Sequence, residues 1–323
     1  MYFGFRFDFR NPEFAGTTMA ERYAAALDMA EWGDRLGCGS IVVCEHHGSP
    51  DGYIPSPLAI LAAMAARTSK VRLTASALIA PFHDPLRLAE DLCVIDNLSN
   101  GRLDIIIGAG YAREEFAMFG VPMEERPARV LEVVSALRGA FSGQPFEYRG
   151  RTVHVTPPPC QPGGPKIAMG GSSLQAARRA ARYGDAFVPS MPEIWEYYRD
   201  EMLKLGKPDP GAFPGGDSSV IALAADVDKG WEQLSPYFLH ETNTYGTWQA
   251  QDDIASPYRT ASDTNTLRGR GVYRVLTPDQ MVAELKAAPF PIASLAPMCG
   301  GIPPELAWES LHLFEHEVLP AFA

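Results

Sequence analysis

Basic residues are in short supply: 28 lysines and arginines stand against 39 aspartates and glutamates, for a net charge of -11. A surface of that sign repels a phosphate backbone, whose capture draws much of its affinity from Lys and Arg displacing counterions, so nucleic acid is set aside as a partner. Cysteine is sparse too. Cys38, Cys44, Cys93, Cys160 and Cys299 are odd in number, scattered and never in CxxC spacing, which argues against a disulfide framework or a zinc site. Reduced thiols in a cytoplasm are the natural reading. No apolar run approaches the roughly 20 residues of a membrane span. The opening Tyr2-Phe3-Gly4-Phe5-Arg6-Phe7-Asp8 alternates with charges and has neither a basic n-region nor an apolar h-region, so it reads as a first strand and not as a signal peptide. A GxGxxG turn after that strand is also missing, which counts against a doubly wound dinucleotide-binding sheet.

What is present is a chain of 323 residues, 46% hydrophobic and 21% charged, with ample material for a large core. Short β-rich runs alternate with longer helical patterns. Strands are expected at Tyr2 to Phe7, Ser40 to Cys44, Val71 to Ile79, Leu103 to Ile107, Lys166 to Met169, Ala186 to Val188, Ser219 to Ala224 and Ile292 to Ala296. Helices are expected at Met19 to Leu36, Pro57 to Arg67, Leu86 to Leu98, Ser173 to Tyr183, Glu193 to Leu205, Lys229 to His240, Pro278 to Ala287 and Pro304 to Leu319. Runs such as Ile105-Ile106-Ile107 are apolar on both faces, as strands of a helix-covered parallel sheet are. The expectation is one α/β domain over 1–323, a (β/α)8 TIM barrel. A hairpin turning at Arg149-Gly150 interrupts it as a surface insertion, and the polar stretch from Glu241 to Tyr273 reads as a long loop shaping substrate access.

In such a barrel the chemistry sits just beyond the C-terminal ends of the strands. The second strand runs into Cys44-Glu45-His46-His47, two imidazoles that could act as general acid or base, or be loop histidines without a task. A metal site is not expected, because adjacent residues on an extended segment point opposite ways. The third strand carries the small residues Thr74 to Ala77, and Gly108-Ala109-Gly110 follows the fourth; both would admit a flat ring, and both also suit close packing. The fifth strand ends in Gly170-Gly171-Ser172-Ser173 and opens a helix, an arrangement that captures phosphate through backbone N–H groups or simply caps the helix.

Five stretches in register resemble the bacterial luciferase-like family. They are Glu45-His46-His47, Pro81 to Asp91, Asp96 to Arg102, Gly108 to Gly120, and Gly170 to Ser173 with Ala176 to Asp185. The likeness is dense to about residue 190 and thinner beyond. It implies a noncovalently bound reduced flavin, FMN or in some branches a deazaflavin, serving a monooxygenase or hydride-transfer enzyme that acts on a small organic substrate. A separate flavin reductase and a homodimer packed on the Leu86 to Leu98 helix belong to the same implication. By position His46 corresponds to the family's catalytic histidine, and Ser76-Ala77 to a frequent non-prolyl cis peptide that supports the flavin ring. Gly108 and Ala109 would line the ring, and Gly170, Gly171, Ser172 and Ser173 the phosphate. Luciferase itself has a cysteine where Gly108 stands, an arginine at Ala109 and a glutamate at Ser172, so luminescence is not implied.

Overall fold

The computed structural model describes residues 1–213, 219–251 and 256–322. Its strands are β1 (Tyr2–Phe7), β2 (Ser40–Val43), β3 (Arg72–Ile79), β4 (Leu103–Gly108), β5 (Phe146–Tyr148), β6 (Arg151–Val153), β7 (Ile167–Gly171), β8 (Ala186–Pro189), β9 (Val220–Leu223), β10 (Tyr273–Leu276) and β11 (Ile292–Leu295). Helices α1 (Met19–Leu36), α2 (Pro57–Arg67), α3 (Pro85–Ser99), α4 (Arg113–Phe119), α5 (Arg126–Phe141) and α6 (Leu174–Tyr183) serve the first half. Then come α7 (Glu193–Lys204), α8 (Val227–Ala250), α9 (Thr264–Arg270), α10 (Pro278–Ala287) and α11 (Pro304–Leu313).

Nine of these strands form one parallel sheet in the order β10-β9-β11-β1-β2-β3-β4-β7-β8. This is the parallel, helix-covered sheet expected from the βα rhythm. The alternation in β1 explains how the chain builds it. Phe3, Phe5 and Phe7 point outward and are buried, Phe5 stacked on Trp32 of α1 and Phe3 against Phe314. Arg6 and, just past the strand, Asp8 occupy the opposite, inward phase. Buried apolar side chains from Phe3 to Val318 join in one connected core. The β5–β6 hairpin stands outside the sheet, as an insertion should.

Three expectations need correction. The sheet has a ninth strand, β10, at the end of the presumed 241–273 loop. That stretch is also largely helical: α8 continues through Pro236 to Ala250, and α9 follows. Residues 252–255 of the stretch lie outside the described residues. The distal half of α8 buries polar groups, so no apolar stripe marks it. Glu241 receives a hydrogen bond from Arg6, Thr242 donates to the Arg259 carbonyl, and Asn243 donates to the Ala261 carbonyl. Finally, α4 and α5 fill the stretch after β4, where no helix was expected.

Candidate active site

Because the strands are parallel, the ends of β2, β3, β4 and β7 open on one face, and they are neighbours in that order. His46 follows β2, Ala77 lies in β3, Gly108 ends β4, and Gly170 and Gly171 end β7. At roughly 4.8 Å per strand, the mouth from β2 to β7 measures about 14 Å, room for a tricyclic ring and a short chain ending in an anion.

His46 is 6% exposed and held from both sides. Its Nδ1 lies 2.7 Å from Oε1 of Glu115, a residue on α4 that is itself buried. A carboxylate oxygen accepts, so Nδ1 carries a proton. The Tyr111 hydroxyl approaches Nε2 at 3.2 Å. The same Glu115 oxygen accepts the His47 amide at 2.9 Å, which fixes the carboxylate against the loop. Rings of Tyr53, Tyr111, Tyr245 and Trp248 surround the imidazole, with Tyr53 and Trp248 centroids at 4.7 Å. The arrangement is an imidazole oriented by a buried carboxylate in a largely dry aromatic enclosure.

His47 belongs to a different network. Its Nε2 and that of His83 both donate to Oε1 of Glu45, at 3.0 and 2.9 Å, and the Ile79 amide donates to Oε2 at 2.7 Å. Burial pushes the Glu45 carboxyl up, but these donors and the His83 charge outweigh it and hold the group at about 2, against an ordinary 4.5. A folded value below the unfolded one means stability that is complete above about pH 4.5 and drains away as the pH falls toward 2. Glu45→Gln is therefore expected to cost about 2–3 kcal/mol at pH 7, with the deficit narrowing at pH 3. Urea unfolding of both proteins at the two pH values checks it; a deficit that is the same at both would contradict the assignment.

The small residues converge. The Ser76–Ala77 peptide is cis, and the β3–β4 register skips Ala77, pairing Ser76 with Ile106 and Leu78 with Ile107. A Cβ added to Gly108 would lie 2.9 Å from the Ala77 Cβ, and one added to Gly170 would lie 3.9 Å from the same atom. These residues form a shallow cradle that a side chain at Gly108 would fill. Ala109 is half-buried next to it. Ser173 is the N-cap of α6, its hydroxyl oxygen accepting from the Ala176 amide at 3.2 Å, which leaves its O–H free to donate. Ser172 precedes it, half-buried. Arg179, on the second turn of α6, has no hydrogen bond or ion pair among the described residues. Partial burial and then the nearby Arg126 guanidinium hold it below the usual arginine value. Arg126 itself donates to the Gly110 carbonyl at 3.1 Å, so this like-charged pair adjoins the glycine mouth. Arg178, its neighbour in sequence, pairs with Glu201.

Two further clusters lie at this mouth that motif reading passed over. Arg10, beyond β1, is fully buried and donates through Nη1 to Asp51 at 2.6 Å; Asp51 also takes His240 at 2.7 Å. Below it, Glu241 accepts from Arg6, Tyr273 and the Cys299 thiol at 2.7, 2.8 and 2.9 Å. Asp8, Glu241 and Cys299 bring potential ligand atoms within 4.8 Å of one another, but the Glu241 oxygens are already engaged by these three donors. The alternation Arg6-Phe7-Asp8-Phe9-Arg10 was the available signal: charges in the inward phase of an aromatic strand.

The family described as luciferase-like monooxygenase matches residues 1–289. The chain belongs to that family. A protein of solved structure, the monooxygenase RslO1 from Streptomyces bottropensis, superposes over 100% of both chains with TM-score 0.77 and 26% identity. The oxygenase component of flavin-dependent trigonelline monooxygenase from Acinetobacter baylyi is 31% identical over 41% of this chain and 37% of its own. F420-dependent glucose-6-phosphate dehydrogenase from Nocardia farcinica is 25% identical over 91% of this chain and 92% of its own. The matched stretches span 32–49% of the length of the first four curated relatives. Luciferase-like relatives thus include both flavin- and F420-dependent enzymes. Among the described residues no helix is long and apolar enough to cross a membrane.

Proposed function

We propose that this protein is a flavin-dependent monooxygenase that uses reduced FMN and O2 to oxygenate a small organic substrate, with His46 as the catalytic group. The observation that carries the reading is the Ala77–Gly108–Gly170 cradle on the same mouth as an imidazole whose tautomer a buried carboxylate sets. FMN, when bound, supplies the electron pair with which dioxygen is divided, one atom entering the substrate and the other leaving as water. The chain supplies position and protons. Glu115 holds Nδ1–H and leaves Nε2 to take and return a proton, a role worth about 10²- to 10⁴-fold in general acid–base catalysis. The amides opening α6, the Ser172 and Ser173 hydroxyls and the unpaired Arg179 beside Arg126 receive the phosphate. Ser76, Ala77, Gly108, Ala109, Gly170 and Gly171 bear on the ring and its chain. The aromatic walls keep bulk water from the reacting atoms.

A separate reductase delivers the electrons, as befits likeness to a protein named as an oxygenase component. The same reading makes the chain a single cytoplasmic barrel unit over 1–323. It packs as a homodimer on α3, where Val94 and Leu98 are exposed one turn apart; analytical ultracentrifugation giving only a 35.2 kDa species would contradict that.

The full-length likeness to an F420-dependent dehydrogenase favours a second reading, hydride transfer with the deazaflavin. Titrating the apoprotein with FMN and with F420, followed by absorbance difference spectra, separates the two. Saturable FMN binding with reductase-coupled substrate oxygenation is expected. Tight F420 binding without FMN binding would establish the second reading, and FMN binding without turnover of any substrate would leave a flavin-binding subunit.

A further inference from the structure

Among the described residues Arg10 is a fully buried charged group at this mouth with two polar atoms left without a partner. Its side chain is fully buried, Nη1 is committed to Asp51, and yet Nε and Nη2 have no acceptor. These two nitrogens form the side edge of the guanidinium, a fork of parallel N–H donors that fits the two oxygens of a carboxylate. Asp8 does not fill the fork. Its Oδ2 accepts the Gly300 amide at 3.0 Å and stays 3.9 Å from Nε, while Oδ1 takes the Arg10 amide. Leaving buried donors of a cation unsatisfied costs more than a typical hydrogen bond contributes, so an acceptor brought to this edge is bound favourably.

The surroundings indicate what the edge receives. Tyr53, Tyr245 and Trp248 stand around the guanidinium, with centroids 4.5, 4.9 and 5.2 Å from its central carbon. The same three rings surround His46 at 4.7, 5.8 and 4.7 Å. Ring faces offset the charge of Arg10 but offer no directional acceptor in place of oxygen. Trp248 also lines a cavity of about 770 Å³, together with Asp51 and His240, a size suited to a small organic molecule. Trp248, half-buried on the last turns of α8, thus touches both that cavity and Arg10, as Asp51 does.

We propose that the substrate is a planar, conjugated carboxylic acid whose carboxylate docks on the Nε–Nη2 edge of Arg10. It approaches past Trp248, which both lines the 770 Å³ cavity and packs on Arg10 and His46, so its ring is seated beside that indole. This rests on the monooxygenase reading for what happens next, but not for binding. The site predicts selectivity for an acid over its amide, since an amide offers one acceptor where the fork has two donors.

Isothermal titration of the wild-type protein with benzoate and with benzamide, each with and without FMN, tests the proposal. Benzoate is expected to bind at least about tenfold more tightly than benzamide. That ratio should fall close to one in Arg10→Met and remain partly in Arg10→Lys, with circular dichroism confirming that the variants fold. The acid–amide comparison on wild-type protein needs no variant, so a misfolded Arg10→Met leaves the test intact. Equal affinity for the two probes, no saturable benzoate binding, or unchanged benzoate affinity in a folded Arg10→Met would overturn the proposal. Benzoate selectivity in a protein that fails to bind FMN would instead overturn the flavin reading and leave this one standing.

Discussion

Replacing His46 by alanine is expected to lower turnover about 10²- to 10⁴-fold while changing FMN affinity only about twofold. The expectation follows from position: the imidazole is anchored through Nδ1 to Glu115, its Nε2 meets the Tyr111 hydroxyl in the aromatic enclosure, and it takes no part in the phosphate site at the start of α6. Glu115→Gln tests the anchoring separately. An amide oxygen can still accept from Nδ1 and from the His47 amide, as Oε1 does, but the negative charge beside the imidazole is gone and the NH2 group adds donors where the buried Oε2 has no partner. The pH dependence of kcat should therefore move in Glu115→Gln, whereas a merely structural carboxylate would lower stability and leave the profile in place. Both variants are measured by stopped-flow single turnover with the reduced flavin. Unchanged turnover in His46→Ala with every accepted substrate would remove His46 from the chemistry.

The second large effect is on the cofactor. A Cβ at Gly108 would come within 2.9 Å of the Ala77 Cβ, closer than real side chains approach. Gly108→Leu would fill the cradle and is expected to weaken FMN binding at least about 100-fold, some 2.7 kcal/mol. Ala77 has to give way to the added Cβ, so some fall in the melting temperature is expected as well, in a protein that still folds. Fluorescence titration of FMN, with a thermal melt of each protein, distinguishes loss of the cradle from loss of the fold. Wild-type FMN affinity in a folded Gly108→Leu would show that the ring does not lie there.

Much of this was legible before any coordinates. Period-two alternation in Tyr2 to Phe7 and the doubly apolar Ile105-Ile106-Ile107 identify strands of a covered parallel sheet, and placing chemistry at strand ends then selects His46, Gly108 and Gly171. Other features were hidden for physical reasons. The last turns of α8 bury Glu241, Thr242 and Asn243 in polar contacts, so the stripe by which a helix announces itself is missing. Glu115 sits 69 residues from His46, and the bond between them exists only because α4 folds back over the β2 loop. Arg10 gave a signal, a charge in the inward phase just past an aromatic strand, but nothing in the sequence tells that two of its donors lack acceptors.

The measurement that bears most directly on the whole account is a crystal structure of the protein soaked with FMN. The account predicts the ring against Ala77, Gly108 and Gly170, its phosphate within hydrogen-bonding distance of the Ser172 and Ser173 amides and near Arg179, and His46 facing the reactive edge. A phosphate bound away from the start of α6, or a ring separated from His46 by the width of the barrel, would contradict it.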